Sequence, residues 1–306
     1  MRAQAMADRR LQVFHAVARQ LSFTKAADAL FMTQPAVTFQ IKQLEEHFST
    51  RLFDRGHGRI SLTPAGDIVL DYAERILGLS AELDTRLKEM TGEVAGALLI
   101  GASMTIAEFL LPQVLGEFRA RYPKALPRLM VANSETVESR VAAFTLDLGF
   151  IEAPSHLPAL VSDFCADDEL LVLCAPGHPL AQLASVSPAQ LLKHSFISRE
   201  PGSGTREVTD NYFRSAGISP DSVDTVMELG SPESIKGLVS TGLGFAILSR
   251  ATITKEVRLG QLVALPLAPR LTRKLSVVYP KEKFRSRLAD TFIEFAKEKL
   301  RAGAER

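Results

Sequence analysis

Apolar positions recur at helical spacing from the start of the chain. Leu11, Phe14, Val17 and Ala18 form one stripe, Ser22 and Phe23 interrupt it, and Lys25, Ala26, Ala27, Ala29 and Leu30 restart it. Thr33-Gln34-Pro35-Ala36 then opens a third helix. Thr33 has the short oxygen side chain of an N-cap, Pro35 falls in the first turn where its missing N–H costs nothing, and Val37, Ile41 and Leu44 supply the apolar stripe. Two short helices joined by so small a turn, with Ala27 where they approach, predict a helix-turn-helix. After Leu52-Phe53, the segment Asp54 to Thr63 reads as a small hairpin, with glycines at its tip and Ile60 and Leu62 seated on one face. Such a hairpin is a wing.

Pro64 to Met90 predicts one long helix. Tyr72, Ile76, Leu79, Leu83, Leu87 and Met90 recur at intervals of four, three, four, four and three, an a/d-like seam that has to be buried against something. The seam packs either on its own domain or on a second subunit.

From Glu93 the pattern changes to strands alternating with helices. Ala97 to Gly101 is a short buried strand, Thr105 to Tyr122 a helix stopped by Pro123, Arg128 to Val131 a strand, Glu135 to Phe144 a helix and Leu146 to Ile151 a strand. The later half repeats the style. Strands fall at Leu170 to Leu173, Phe196-Ile197, Val223 to Met227, Phe245 to Leu248 and Leu275 to Val278; helices fall at Thr205 to Ala216, Pro232 to Thr241 and Phe284 to Leu300. Repeated strand-helix-strand units predict a mostly parallel sheet with covered faces.

Composition narrows the class. A chain of 306 residues predicts two or three domains, and 46% hydrophobic with 23% charged residues is ordinary for a folded protein. No apolar stretch approaches the roughly 20 residues of a membrane-spanning helix. The polar, basic Met1 to Arg10 lacks an apolar segment behind it, so no signal peptide and a cytoplasmic location are expected. Cys165 and Cys174 have no His or Cys partner at metal-ligand spacing and read as reduced core residues. The six histidines are scattered, so no metal is expected, and Gly202-Ser203-Gly204 lacks the spacing of a nucleophile turn. Neither catalysis nor a cofactor is expected. The net charge of +1 conceals an asymmetry: Met1 to Gly66 holds nine Lys or Arg against five Asp or Glu, and the remainder 27 against 30. Basic character concentrated in the first fifth favours a polyanionic partner.

The third helix is the candidate reader of duplex DNA. Thr33, Gln34 and Thr38 at its N-terminal end reach base edges or phosphates, Lys42 lies a turn further along for backbone contact, and Arg55, His57 and Arg59 place the wing on the sugar-phosphate backbone.

The N-terminal region also resembles a known family. Phe14 to Ala18, Ser22 to Ala27, Leu30, Thr33 to Thr38, Gln40-Ile41, Leu44-Glu45, Leu52 to Arg55 and Leu62 to Gly66 resemble the signature of LysR-type transcriptional regulators across nearly the whole winged helix-turn-helix. By that resemblance Thr33, Gln34, Pro35, Thr38, Gln40 and Lys42 carry or support DNA recognition and Arg55 the wing. Two positions depart from the pattern: Phe39, placed on the reading helix, stands where many members have arginine, and Ser49 where glycine is usual.

The resemblance implies further architecture. The expected division is 1–66 as DNA-binding domain, 67–92 as linker and dimerisation helix, and 93–306 as a two-lobed effector domain of the periplasmic-binding-protein kind. Lobe I would take about 93–162 and 269–306, and lobe II about 163–268. Expected partners are a partly palindromic double-stranded operator, a small-molecule effector, a second copy through the linker helix, and a homotetramer built from such dimers; RNA polymerase is a further candidate. A solute-binding receptor without DNA function is the alternative, and the N-terminal reader speaks against it.

Ligands of such sheets bind at the carboxyl ends of strands, where helix N-termini present free N–H groups. Those loops contain Ser103, Met104 and Thr105, then Ser134 and Thr136, in the first lobe. The second lobe adds Glu200, Ser203, Gly204 and Thr205, then Ser231. Gly202-Ser203-Gly204-Thr205 sets two glycines beside two hydroxyls at a helix start, a nest of donors suited to an anion, with Arg199 or Arg206 as added charge. The string Arg199 to Arg206 resembles the branch of the family that regulates carbon-fixation operons and sulfur-oxyanion responses, which implies an anionic effector.

Overall fold

The computed structural model describes residues 8–56, 59–89, 94–281 and 285–304. The chain divides into two compact units, Met1–Glu93 and Val94–Arg306.

The first unit begins with α1 (Arg9–Gln20), α2 (Phe23–Leu30) and α3 (Gln34–His47). Each helix starts on a side-chain cap: Asp8, Ser22 and Thr33 accept from the backbone N–H of Arg10, Lys25 and Ala36. Left-handed residues, Leu21 and Phe31, close α1 and α2. Val13, Phe14, Val17, Ala26, Val37 and Ile41 fill the core between them. Glu45 of α3 then steers the chain into the wing, its Oε1 accepting from Leu52 N at 2.8 Å and from Phe53 N at 3.3 Å. The wing is an antiparallel pair, β1 (Phe53–Gly56) with β2 (Arg59–Leu62), in the register Phe53 to Leu62 and Gly56 to Arg59.

The long helix α4 (Pro64–Glu89) follows. It lies so close to the backbone before the wing that a Cβ on Gly66 would come within 2.2 Å of Leu52 O, which only glycine avoids. One face of α4, with Val69, Leu70 and Ala73, joins the core of this unit. The face adjoining it carries Ile68, Tyr72, Ile76, Leu79 and Leu83, all exposed. The seam read from sequence is therefore not spent on the helix's own domain. The side chain of Leu87, and Met90 altogether, lie outside what the structure describes.

In the second unit the elements are β3 (Gly96–Ser103), a π-helical turn (Ile106–Leu110) running into α5 (Leu111–Arg121), β4 (Ala125–Ala132), α6 (Ser134–Ala142) and β5 (Leu148–Ile151). They continue with β6 (Leu160–Cys174), α7 (Pro188–Leu191), β7 (Phe196–Arg199), α8 (Gly204–Ser215), β8 (Thr225–Leu229) and α9 (Pro232–Ser240). The unit ends with β9 (Ala246–Ser249), α10 (Arg250–Arg258), β10 (Val263–Pro280) and α11 (Arg287–Ala304).

Six strands form one sheet in the order β4-β3-β5-β10-β6-β9, and β7 pairs with β8 in a second. The expectation of a mostly parallel sheet is corrected. Among the described strands β3 pairs in parallel with β4 and β5, and β7 with β8; β10 runs antiparallel to both β5 and β6, and β6 antiparallel to β9. Two strands, β6 and β10, are also far longer than the apolar runs Leu170 to Leu173 and Leu275 to Val278 indicate. Their polar middles explain why. Asp168 lies opposite Arg273 and Asp167 opposite Lys274, so residues that read as loop are a ladder of opposite charges.

These two strands join two cores. Ile100, Leu148, Phe150, Val277 and Phe292 belong to one; Leu170, Val172, Phe213, Phe245 and Leu265 belong to another. The chain passes from the first to the second along β6 and returns along β10. Cys165 and Cys174 are free and buried on β6, and burial pushes each thiol up to about 11, which keeps both protonated and unreactive.

Candidate functional site

The first unit presents α3 as an exposed reader. Val37, Ile41 and Leu44 are buried, and the opposite side leaves Thr33, Gln34, Pro35, Phe39 and Lys42 exposed. The Thr33 hydroxyl is engaged as the N-cap, 3.4 Å from Ala36 N. Gln34 Nε2 donates to Thr38 Oγ1 at 3.0 Å, which holds the amide flat along the helix. Lys42 Nζ lies 3.6 Å from Glu46 Oε1 with both side chains largely in solvent, a pairing too weak to hold the lysine back from a phosphate. Arg55 and Arg59 fall on the paired strands of the wing, while their side chains and the whole of His57 lie outside what the structure describes.

Ser49, just past α3, adopts φ +51°, the left-handed conformation that glycine takes without strain. The turn retains the glycine geometry with a serine in it. Its N–H donates to Glu46 O and that of Thr50 to Glu45 O, so the end of α3 is closed by backbone bonds.

In the second unit the sequence-predicted loops meet across the two lobes. Ser103 ends β3 beside Ala132 of β4, and Asn133-Ser134 follows at once. Asn133 caps α6, accepting from Thr136 N at 2.9 Å, and its Nδ2 donates to Pro201 O at 3.1 Å; Glu135 N donates to Gly202 O at 3.2 Å. A Cβ on Gly204 would come 2.8 Å from Glu152 Cγ and 2.9 Å from Ser134 Oγ. Glycine there lets the start of α8 rest on the other lobe.

Ser134, Ser203, Gly204 and Thr205 are thereby brought together, all buried. Ser103 and Thr105 are buried at the end of β3, and Met104 between them is half-buried. Glu200 and Ser231 follow the ends of the parallel strands β7 and β8: Glu200 O accepts from Ser203 N at 3.3 Å while its carboxylate binds Arg199 through two oxygens at 2.8 and 3.0 Å, and Ser231 caps α9, accepting from Ser234 N at 3.4 Å. Three hydroxyls, Ser103 Oγ, Ser134 Oγ and Ser203 Oγ, are buried without a hydrogen-bond partner, as is Arg199 Nη1. Ser203, although the N-cap of α8, makes no side-chain cap.

Behind them lies a buried polar network that the sequence reading missed. Arg273 Nε donates to Asp168 Oδ2 at 2.8 Å and Nη1 to Thr205 Oγ1 at 2.7 Å; Nη2 sits 2.9 Å from Glu152 Oε2, an ion-pair distance without hydrogen-bond alignment. Thr205 Oγ1 donates to Glu152 Oε1 at 3.2 Å and Ser249 Oγ to Asp168 Oδ1 at 2.7 Å. Glu152 follows β5 and was open to the same strand-end logic that selected Ser103 and Ser134. Arg273 offered no signal, because an arginine beside Lys274 reads as surface.

Nearer the surface, a cavity of about 450 Å³ is lined by Ser134, Ser203, Glu135, Glu138, His156, Arg206, Glu207 and Asp210 among others. His156 Nε2 bridges to Glu207 Oε1 at 3.0 Å, and the glutamate raises the imidazole pKa. A larger groove, about 1010 Å³ between α5, α10 and α11, contains none of the sequence-predicted residues.

Residues 9–67 match the family described as bacterial regulatory helix-turn-helix protein, lysR family, and residues 91–301 match the LysR substrate binding domain. A "Probable RuBisCO transcriptional regulator" of Cyanidioschyzon merolae is 35% identical over 288 residues, covering 93% of this chain and 95% of its own. One of the same name from Synechocystis is 35% identical, covering 92% and 83%. Among solved structures, the Synechocystis CcmR regulatory domain in complex with 2-PG is 30% identical, with a TM-score of 0.61 over 66% of this chain and 96% of its own. Full-length CbnR complexed with its target DNA, at 23% identity, shares the fold with a TM-score of 0.69 over 96% and 100%. The helix-turn-helix with its exposed reader, the two-lobed second unit and these matches over nearly the whole length make the chain a member of the LysR family, a DNA-binding transcriptional regulator with an effector-binding domain.

Proposed function

We propose that the regulator responds to a small phosphorylated carboxylate held between its two lobes, and that two copies joined along α4 set their α3 helices on a partly palindromic operator. The observation that carries the effector reading is the trio of buried, unpartnered hydroxyls, Ser103, Ser134 and Ser203, beside the uncapped start of α8. A buried polar group without a partner costs about 1–3 kcal/mol, which a ligand accepting those hydrogen bonds relieves. Hydroxyl donors at a helix N-terminus favour negative charge. The cavity that Ser134 and Ser203 help to line also carries Glu135, Glu138, Glu207 and Asp210 against Arg206 and His156, so the anion is assigned to its hydroxyl side, towards Ser103 and the start of α8 and away from those carboxylates.

The CcmR domain solved with 2-PG, and relatives named for RuBisCO regulation, support 2-phosphoglycolate or a close analogue as effector and a carbon-fixation operon as target. On this reading Thr105, Thr205, Gly204, Met104 and Thr136 shape the seat, and Glu200 and Ser231 flank it in lobe II. Domain limits follow at 1–66, 67–92 and 93–306. The regulator works in the cytoplasm with its DNA, as a dimer that pairs into a tetramer, and has no catalytic role.

Thermal unfolding of the full chain with and without 2-phosphoglycolate tests the effector. At 100 times Kd the ligand adds about 2.7 kcal/mol of stability. Ser203→Val and Ser134→Val abolish the gain, and a wild-type chain indifferent to millimolar 2-phosphoglycolate, 3-phosphoglycerate and sulfate overturns the anion reading.

A further inference from the structure

The exposed face of α3 carries an aromatic ring, Phe39, that the general requirements of a DNA reader do not explain. At 100° per residue, Pro35, Phe39 and Lys42 fall on one line directly opposite the buried Val37, Ile41 and Leu44. Phe39 is 57% exposed at the centre of that line. A large ring held in solvent on the one surface built to enter a DNA groove wants an apolar counterpart there. The major groove offers only one of any size, the C5-methyl of thymine.

The neighbouring row supplies the complement. Gln34 and Thr38 lie beside that line, hydrogen-bonded to each other at 3.0 Å, and an amide in that position pairs with N6 and N7 of adenine. Apolar ring and amide side by side match the two halves of A·T pairs. Lys42, one turn beyond Phe39, is left to meet the phosphate that fixes the register.

We propose that Phe39 is a specificity-determining residue, its ring packed on the C5-methyl of a thymine in each half-site, where an arginine at the same position would read guanine instead. The proposal rests on α3 entering the major groove. A duplex recovered by in vitro selection with the purified full chain provides the probe. Replacing its thymines one at a time by deoxyuridine removes the methyl and nothing else. At one symmetry-related position wild-type affinity falls about fourfold per half-site and about fifteenfold when both are changed, the loss expected for one buried methyl each. Phe39→Ala binds the thymine and deoxyuridine duplexes equally, and Phe39→Arg, put through the same selection, recovers guanine at that position. Circular dichroism melting of both variants establishes that they are folded, as the exposure of the ring predicts. A wild-type chain that tolerates deoxyuridine everywhere within twofold, or a Phe39→Ala chain that keeps the discrimination, overturns the assignment of Phe39 alone. A folded chain that selects no duplex at low salt overturns the groove reading beneath it.

Discussion

His156 Nε2 lies 3.0 Å from Glu207 Oε1 and 3.1 Å from Glu207 Oε2, joining the loop after β5 to α8 across the mouth of the cleft. The hydrogen bond and the charge of Glu207 raise the His156 pKa above its ordinary value, so the contact is stronger when the imidazole is protonated. A raised pKa in the folded state means stability that is fully present below about pH 6.5 and is lost as pH climbs through the folded-state value.

Wild type and His156→Gln, melted at pH 5.5 and pH 8.5, differ at the acid end and converge at the alkaline end. The gap is about 0.5 kcal/mol or less, because the ring is mostly in solvent and the pair is screened. His15 acts in the opposite direction, since burial lowers its pKa and its contribution is lost as pH falls. The difference between variant and wild type, not the wild-type profile alone, therefore isolates His156. A gap that widened towards pH 8.5 would contradict the assignment.

Arg273 is the shared partner of two buried carboxylates, Glu152 just after β5 and Asp168 on β6. Arg273→Ala strands both in the interior, and loss of one partner of a buried ion pair costs about 3–5 kcal/mol. Urea unfolding should show a midpoint lowered accordingly, with the unit Met1–Glu93 unaffected. A loss below about 1 kcal/mol would mean that water reaches the network.

Ser49 at φ +51° holds a strained turn with its backbone hydrogen bonds intact. Ser49→Gly keeps those bonds and removes the Cβ penalty, about 1 kcal/mol in the left-handed region. Thermal unfolding should show a stabilised chain; a destabilised one would mean that the greater freedom of glycine in the unfolded state outweighs the strain.

What was legible depended on which interaction dominated locally. The helix-turn-helix could be read because its caps, Ser22 and Thr33, and its core stripe Val37, Ile41, Leu44 are local signals that agree with the tertiary fold. The strand end at Ser103 and the helix starts at Ser134 and Thr205 were legible for the same reason. The middles of β6 and β10 were not, because Asp168 meets Arg273, and Asp167 comes to face Lys274, only across a pairing separated by about a hundred residues of chain. The long-range ladder also hid the antiparallel half of the sheet. Helix α10 was missed because its buried residues, Thr252 and Ile253, are too few to make a stripe.

The exposed side of α4 bears the last prediction. Leu79 is 65% exposed and Tyr72 55%, whereas Ala73 on the adjoining face of the same helix is fully buried in its own domain. The helix thus has two apolar faces and uses one of them within the chain. Leu79→Lys introduces a charge on the outward face without touching the inner one, so the unit keeps its fold. In a dimer paired along α4 the change occurs twice, and removing two buried leucines weakens association by about 100-fold or more. Sedimentation equilibrium should show the variant as monomer at concentrations where wild type is dimeric. Its affinity for a duplex with two half-sites should fall to that for a duplex with one. A variant that sediments like wild type would require another surface to hold the readers together.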